Sequence, residues 1–175
     1  YFCVISTIEE TRSPETSSDE FTWLVGVDYT PTDDLLLYAK YNRGYRQGSV
    51  NLAGSVGLDT HEPETVDTYE VGSKYSFASV VAGNLNIALF YNDFEDQQSQ
   101  YGYLKPISNV GTTAIVNAGS STIWGAEIEA TVLLTDDLTL IASYGYLDTA
   151  VDEIEFPDFP DGSFATAPST TTAEG

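Results

Sequence analysis

The chain has 175 residues, enough for one ordinary domain, and sets 27 acidic side chains against 6 basic ones for a formal charge of −21. That surface repels nucleic-acid phosphates and anionic headgroups, and no apolar run of 18 residues exists to cross a membrane as a helix. Aromatic residues make up 13% of the chain, 12 of them Tyr, so the chain can bury or embed far more surface than a disordered acidic polymer.

Seven stretches read as β-strands. Tyr1–Ser6 opens the chain as a strand, since no basic region precedes it as in a signal peptide. The absence of Met and the polar, Thr-rich end at Ala165–Gly175 suggest a portion of something larger. Cys3 is the only thiol, which rules out an internal disulfide or a thiolate metal cluster. Phe21–Thr30 and Leu35–Tyr45 follow, joined by the tight segment Pro31–Asp34. Trp23, Val25, Val27 and Tyr29 share one face of the first, and Leu24, Gly26 and Asp28 share the other. In the second, Leu35, Leu37, Ala39 and Tyr41 oppose Tyr38, Lys40 and Asn42.

A long connection, Arg46–Glu64, leads to Thr65–Ser76, where Tyr69, Val71 and Tyr75 oppose Glu70, Gly72 and Lys74. His61, the only histidine, falls in that connection among Gly and Asp and is expected to be solvated rather than a metal ligand. Ser79–Asn84 reads as a short turn built on Gly83-Asn84. Leu85–Gln97 then sets Leu85, Ile87, Leu89 and Tyr91 against Asn86, Ala88, Phe90 and Asn92. After a long polar loop over Ser99–Ser121, Thr122–Leu133 places Trp124, Ala126, Ile128 and Ala130 opposite Gly125, Glu127 and Glu129. Leu134–Asp137 turns into Leu138–Thr149, with Leu140, Ala142, Tyr144 and Tyr146 on one face, Ser143 and Gly145 on the other, and Ile141 as an exception.

Two features exceed ordinary alternation. The connections run long, short, long, short along the whole chain, and Thr-Asp-Asp-Leu recurs at Thr32–Leu35 and Thr135–Leu138, where Asp carboxylates can accept turn N–H groups. The apolar faces carry aliphatics in mid-strand and aromatic rings toward the ends. An antiparallel sheet with one solvated face explains the alternation, but not the turn asymmetry or the girdles. A membrane β-barrel explains all three. The expected fold is all-β: an antiparallel meander forming part of a transmembrane up-and-down barrel, about seven strands of a larger one.

Five motifs in order then resemble one family. Asn42–Asn51 is similar to an "RGYRxGxxN" rim, and Glu62–Lys74 to "PETxxxYEvGxK". Asn86–Gln97 resembles "NxAxFYxDYxDxQ", Asn117–Glu129 resembles "NAGxxxxxGxExE", and Tyr144–Asp148 resembles "YxYLDA". Together they span roughly Phe21 to Thr149 and resemble the TonB-dependent outer-membrane receptors. The resemblance implies a partial barrel domain over residues 1–175, without the family's plug, energy-coupling box or closing strand. It implies an active transporter in the outer membrane of a Gram-negative bacterium, importing an iron–siderophore or another scarce large solute. Its partners would be outer-membrane lipid, the plug of the same protein, the TonB complex and the solute. Seven strands cannot close a plugged barrel of that kind.

Candidate capture residues on the long-loop rim are Tyr45, Arg46, Gln47, Asn51, Tyr101 and Tyr103, because Tyr and Arg combine stacking with hydrogen bonding. Glu70, Lys74, Glu127 and Glu129 share the inward face and are candidates for plug contact. No cofactor and no metal site is expected; the acidic residues Asp148, Asp152, Glu153, Glu155, Asp158 and Asp161 read as an anionic loop, with divalent bridging to lipopolysaccharide as a further possibility. A passive porin and a soluble secreted binding domain are the alternatives. An enzyme ranks last: there is no Gly-x-Ser-x-Gly and no base near a nucleophile, and paired carboxylates would lack a cleft.

Overall fold

The structure is a computed structural model and describes residues 13–52, 54–55, 57–105, 110–154 and 164–165. Tyr1–Ser6, Cys3, Glu155, Asp158 and Asp161 lie outside the described residues.

Six long strands form one antiparallel sheet. They are β1 (Trp23–Thr32), β2 (Leu35–Arg46), β5 (Glu64–Ala78), β6 (Ala82–Glu95), β9 (Ser120–Thr135) and β10 (Leu138–Glu153), paired in that order. Two shorter ribbons decorate one end. β3 (Ser49–Val50) pairs with β4 (Thr60–His61), and β7 (Gln98–Leu104) pairs on one edge with β8 (Gly111–Asn117) and on the other with β11 (Phe164–Ala165). Among the described residues, the tight turns that join sequence-adjacent strands of the long sheet, Asp33-Asp34, Ser79–Val81 and Asp136-Asp137, all sit at the opposite end.

The register places the predicted faces together. Val25 pairs with Tyr41, Tyr41 with Tyr69, Tyr69 with Tyr91, and Tyr91 with Trp124. An aromatic row therefore crosses the sheet. Trp23 meets Tyr41 edge-on at 6.3 Å between ring centroids, and Tyr41 stacks on Tyr69 at 4.9 Å. Tyr69 tilts against Tyr91 at 6.5 Å, and Trp124 against Tyr146 at 5.4 Å. A second aromatic group, Tyr75 and Phe77 at 6.0 Å, lies toward the tight turns. From Tyr69 to Phe77 is about 26 Å of strand at roughly 3.3 Å per residue. A tilt of roughly 40° brings that to about 20 Å, near the height of a barrel's apolar band.

Burial runs opposite to that of a soluble sheet. On β5 the apolar Tyr69 and Val71 are 50% and 51% exposed, whereas the Glu70 side chain between them is only 19% exposed. In water an apolar face this wide would remain unsatisfied; in lipid it is solvated.

On the other face, aromatic rings cover glycines. A Cβ at Gly72 would lie 2.5 Å from the Tyr38 ring and 2.6 Å from the Ile87 carbonyl. At Gly125 it would lie 2.7 Å from the Phe90 ring and 2.5 Å from the Tyr146 carbonyl. Glycine is needed at these two points because the neighbouring strand and its ring come so close.

Four expectations are corrected by the structure. Ser99–Ser121 is not an open loop: it folds back as the β7–β8 hairpin, whose alternate residues Tyr103, Ala114 and Val116 find a core to enter. Gly83 and Asn84 belong to β6 rather than to a turn, paired with Phe77 and Ser76, so the chain reverses at Ser79–Val81. β10 continues past Ala150 to Glu153, so Asp148, Asp152 and Glu153 lie on a strand. At the second Thr-Asp-Asp-Leu turn the Asp137 N–H donates to Thr135 Oγ1 at 3.3 Å, a hydroxyl where an aspartate carboxylate was expected.

Candidate functional site: the long-loop rim

The rim begins where β2 and β5 end. Three basic residues of β2 stand directly opposite three acidic residues of β5. Lys40 meets Glu70 at 2.9 Å, Arg43 meets Asp67 at 2.6 Å, and Arg46 meets Glu64 at 2.6 Å. The spacing of three alternates faces. Lys40–Glu70 lies inward, where the Tyr38 hydroxyl also donates to Glu70 at 2.8 Å. Arg43–Asp67 lies outward beside the aromatic row, where the Tyr41 hydroxyl donates to Asp67 at 2.8 Å and Arg43 stacks over Trp23 at 5.8 Å.

Above these pairs, three carboxamides bind the loops together. Gln98 Nε2 donates to the carbonyls of Gln47 and Glu62, each at 3.0 Å, and its N–H donates to Glu64 at 2.7 Å. Asn117 Nδ2 donates to the carbonyls of Glu62 at 3.0 Å and Asp96 at 2.8 Å, while its Oδ1 accepts from the Glu62 N–H at 2.7 Å. Asn51 pairs with Ile115 as a strand would: Nδ2 donates to the Ile115 carbonyl at 2.8 Å and Oδ1 accepts its N–H at 3.0 Å. These amides each supply donor and acceptor at a fixed spacing, which is what irregular backbone needs when no strand covers it.

Under this network lies the only fully buried apolar cluster among the described residues: Leu58, Tyr103, Ala114, Val116 and Ala118. Tyr103 is 1% exposed, and its hydroxyl accepts from the Ser55 N–H at 2.8 Å and donates to Ser55 Oγ at 3.1 Å. The described residues of 47–62 and 96–119 thus form one rim unit with its own core.

His61 belongs to that unit. It was expected in solvent, but it is 6% exposed, and its Nδ1 is buried with no hydrogen-bond partner. The β3–β4 pairing and the seat of Gly48 against the His61–Glu62 backbone draw it inward. Burial holds its pKa below the usual imidazole value, Arg46 lowers it further, and Glu62 opposes both.

The predicted capture residues divide. Arg46, Asn51 and Tyr103 are tied into the rim, and Tyr101 packs against its core. Tyr45 and Gln47 are exposed, and Gln47 lines an open cleft of about 540 Å³ with Glu15, Thr16, Ser18 and Ser49. Glu70, Lys74, Glu127 and Glu129 all register on the face opposite the aromatic row. Gln98 and Asn117 were not singled out from the sequence. In sequence Asn117 stands only as the first residue of "NAG", and nothing in Gln97-Gln98 marks which amide turns inward.

The comparisons with known proteins agree with this geometry. The family model described as TonB dependent receptor-like, beta-barrel matches residues 6–173. The chain belongs to that family. It is 25% identical over 142 residues to a probable TonB-dependent siderophore receptor, PiuA, of Acinetobacter baumannii, a match covering 76% of this chain and 18% of that protein. It also superimposes on the ferric yersiniabactin uptake receptor FyuA from Yersinia pestis, with a TM-score of 0.58 at 23% identity over 73% of this chain and 18% of that one. The family motifs now have physical content. In "RGYR" and "PETxxxYE", Arg43 and Arg46 pair with Asp67 and Glu64, and Glu70 takes Lys40 and Tyr38. In "NAG", Asn117 clamps, Ala118 fills the core, and Gly119 takes φ 119° beneath the Glu153 backbone.

Proposed function

We propose that this chain is a sector of the wall and rim of an outer-membrane receptor that imports an iron–siderophore or a comparable large solute, energised through TonB. The observation that carries the reading is the inside-out sheet: an aromatic row and an apolar band outward, charged and glycine-rich positions inward, and the described long connections gathered at one end. The chain spans 18% of the length of the relatives it matches, so plug, TonB contact and solute belong to the whole protein. In this sector Tyr45, Gln47 and the accessible part of Tyr101 meet the solute, with Arg46, Asn51 and Tyr103 holding them in position. Glu70, Lys74, Glu127 and Glu129 face the plug. A receptor of this kind breaks no bond in its cargo, and the rim supplies recognition only.

The test is uptake of ⁵⁵Fe-labelled siderophores by a Gram-negative host that lacks its own siderophore receptors and expresses the full-length receptor. The expected result is uptake that requires the host's TonB and collapses with a protonophore. Uptake indifferent to both would make the protein a passive pore, and failure to fractionate with the outer membrane would remove the membrane reading altogether.

A further inference from the structure

A buried imidazole with an unpartnered nitrogen is an unusual thing to place in a solute-facing loop. His61 sits where β4 meets β3 and packs toward β8. The charged groups around it come from few directions. Arg46 arrives from the end of β2 and is held by Glu64 of β5. Glu62 follows His61 directly, Asp59 precedes it by two residues, and Glu15 lies across the cleft from Gly48. β3 and β8 (Ser49–Val50 and Gly111–Asn117) contribute no ionisable side chain at all. A second proton on the ring would therefore place a cation beside Arg46, in a site where Nδ1 has no acceptor.

We propose that the rim unit is a pH-sensitive cover and that His61 is its trigger: the unit stays docked while the imidazole is neutral and opens when the imidazole takes up its second proton. Opening separates the surfaces that Asn51, Gln98 and Asn117 hold together and exposes Tyr103 and its neighbours. The sign follows from linkage. A histidine whose folded-state pKa is depressed binds fewer protons folded than unfolded, so the docked state is fully stable above the free-histidine value of about 6.5 and weakens below it. Between the free and docked values the opening equilibrium rises by up to about tenfold per pH unit.

The experiment is hydrogen–deuterium exchange on the full-length receptor in nanodiscs at pH 7.5 and 5.5, corrected for intrinsic rates. It reads amides of β7 and β8 against those of β5 and β6, and needs neither solute nor transport, so it stands or falls apart from the transporter reading. The expected result is a loss of protection of several-fold to about tenfold in β7 and β8 at pH 5.5, none in β5 and β6, and no pH effect in His61→Phe. His61→Gln is the second neutral replacement, should the phenyl ring disturb the loop. Equal protection at both pH values overturns the proposal. So does the same loss in wild type and in both variants, because carboxylates would then be the cause.

Discussion

The wall and the rim of this chain solve the same problem in opposite solvents. The wall has regular strands and, among the described residues, no buried apolar cluster; its apolar residues face outward, and its stability comes from ladder hydrogen bonds, cross-strand ion pairs and lipid. The rim has short, irregular strands, a buried cluster around Tyr103, and side-chain amides in place of ladder partners. One is an inside-out sheet and the other a small water-soluble core. The seam is the level of Arg46, Glu64 and Gln98, where ladder gives way to carboxamides.

The largest effects should come from breaking the wall. Gly72→Val would drive a branched side chain into the Tyr38 ring and the Ile87 carbonyl, the latter being backbone that cannot move aside. The expected cost is about 3 kcal/mol or more. In the full-length receptor it should abolish the heat-modifiable folded band on gels, and normal assembly would show that β5 and β6 can separate there. A rim change of similar severity should behave differently. Tyr103→Ala removes a ring that is 1% exposed, with a local cost of about 3–5 kcal/mol. Exchange protection of β7 and β8 should vanish while the folded band persists. Loss of the band as well would mean that wall and rim fold as one unit.

The sequence is far more legible in the wall than in the rim, and the reason is physical. A strand facing lipid on one side and a lumen on the other writes a period of two, so the faces of Tyr69, Val71, Glu70 and Gly72 follow from spacing alone. Two of the three tight turns carry Asp-Asp within a repeated Thr-Asp-Asp-Leu, whereas the third, at Ser79–Val81, carries no such mark. The rim follows neither rule. Tyr103 reads as an exposed ligand-stacking residue until β7 is seen to turn it onto Ser55, and His61 reads as solvated because Gly and Asp surround it in sequence. Arg46 and Asn51 looked like capture residues for a sound reason, since long polar side chains on a rim reach solute, but the same side chains also satisfy irregular backbone. Composition does not distinguish the two uses; register does.

Smaller changes sharpen the seam. Asn51→Asp keeps size and acceptor but removes the donors to the Leu58 and Ile115 carbonyls, at 2.9 and 2.8 Å. A loss of about 1–2 kcal/mol confined to the rim is expected. It would appear as faster exchange at Ile115 and its neighbours, with solute affinity reduced through disorder of the loop that carries Gln47. Unchanged exchange would mean that the buried cluster alone holds the rim.

The smallest effect is expected where the wall meets water. Lys40–Glu70 and Arg43–Asp67 are both direct cross-strand pairs, but their settings differ. The Lys40 side chain is 37% exposed on the inward face, so solvent screens it, and Lys40→Gln should cost about 0.5 kcal/mol or less. The Arg43 side chain is 26% exposed, and Asp67 also takes the Tyr41 hydroxyl while Arg43 lies over Trp23. Arg43→Gln removes the cation from all of these at once and leaves Asp67 uncompensated, at about 1–2 kcal/mol. A double-mutant cycle with Asp67→Asn, read from denaturant unfolding in lipid, should give a coupling energy larger than the matching cycle for Lys40 and Glu70. Equal coupling would mean that the aromatic row adds nothing to the outward pair, and that its rings serve the lipid interface alone.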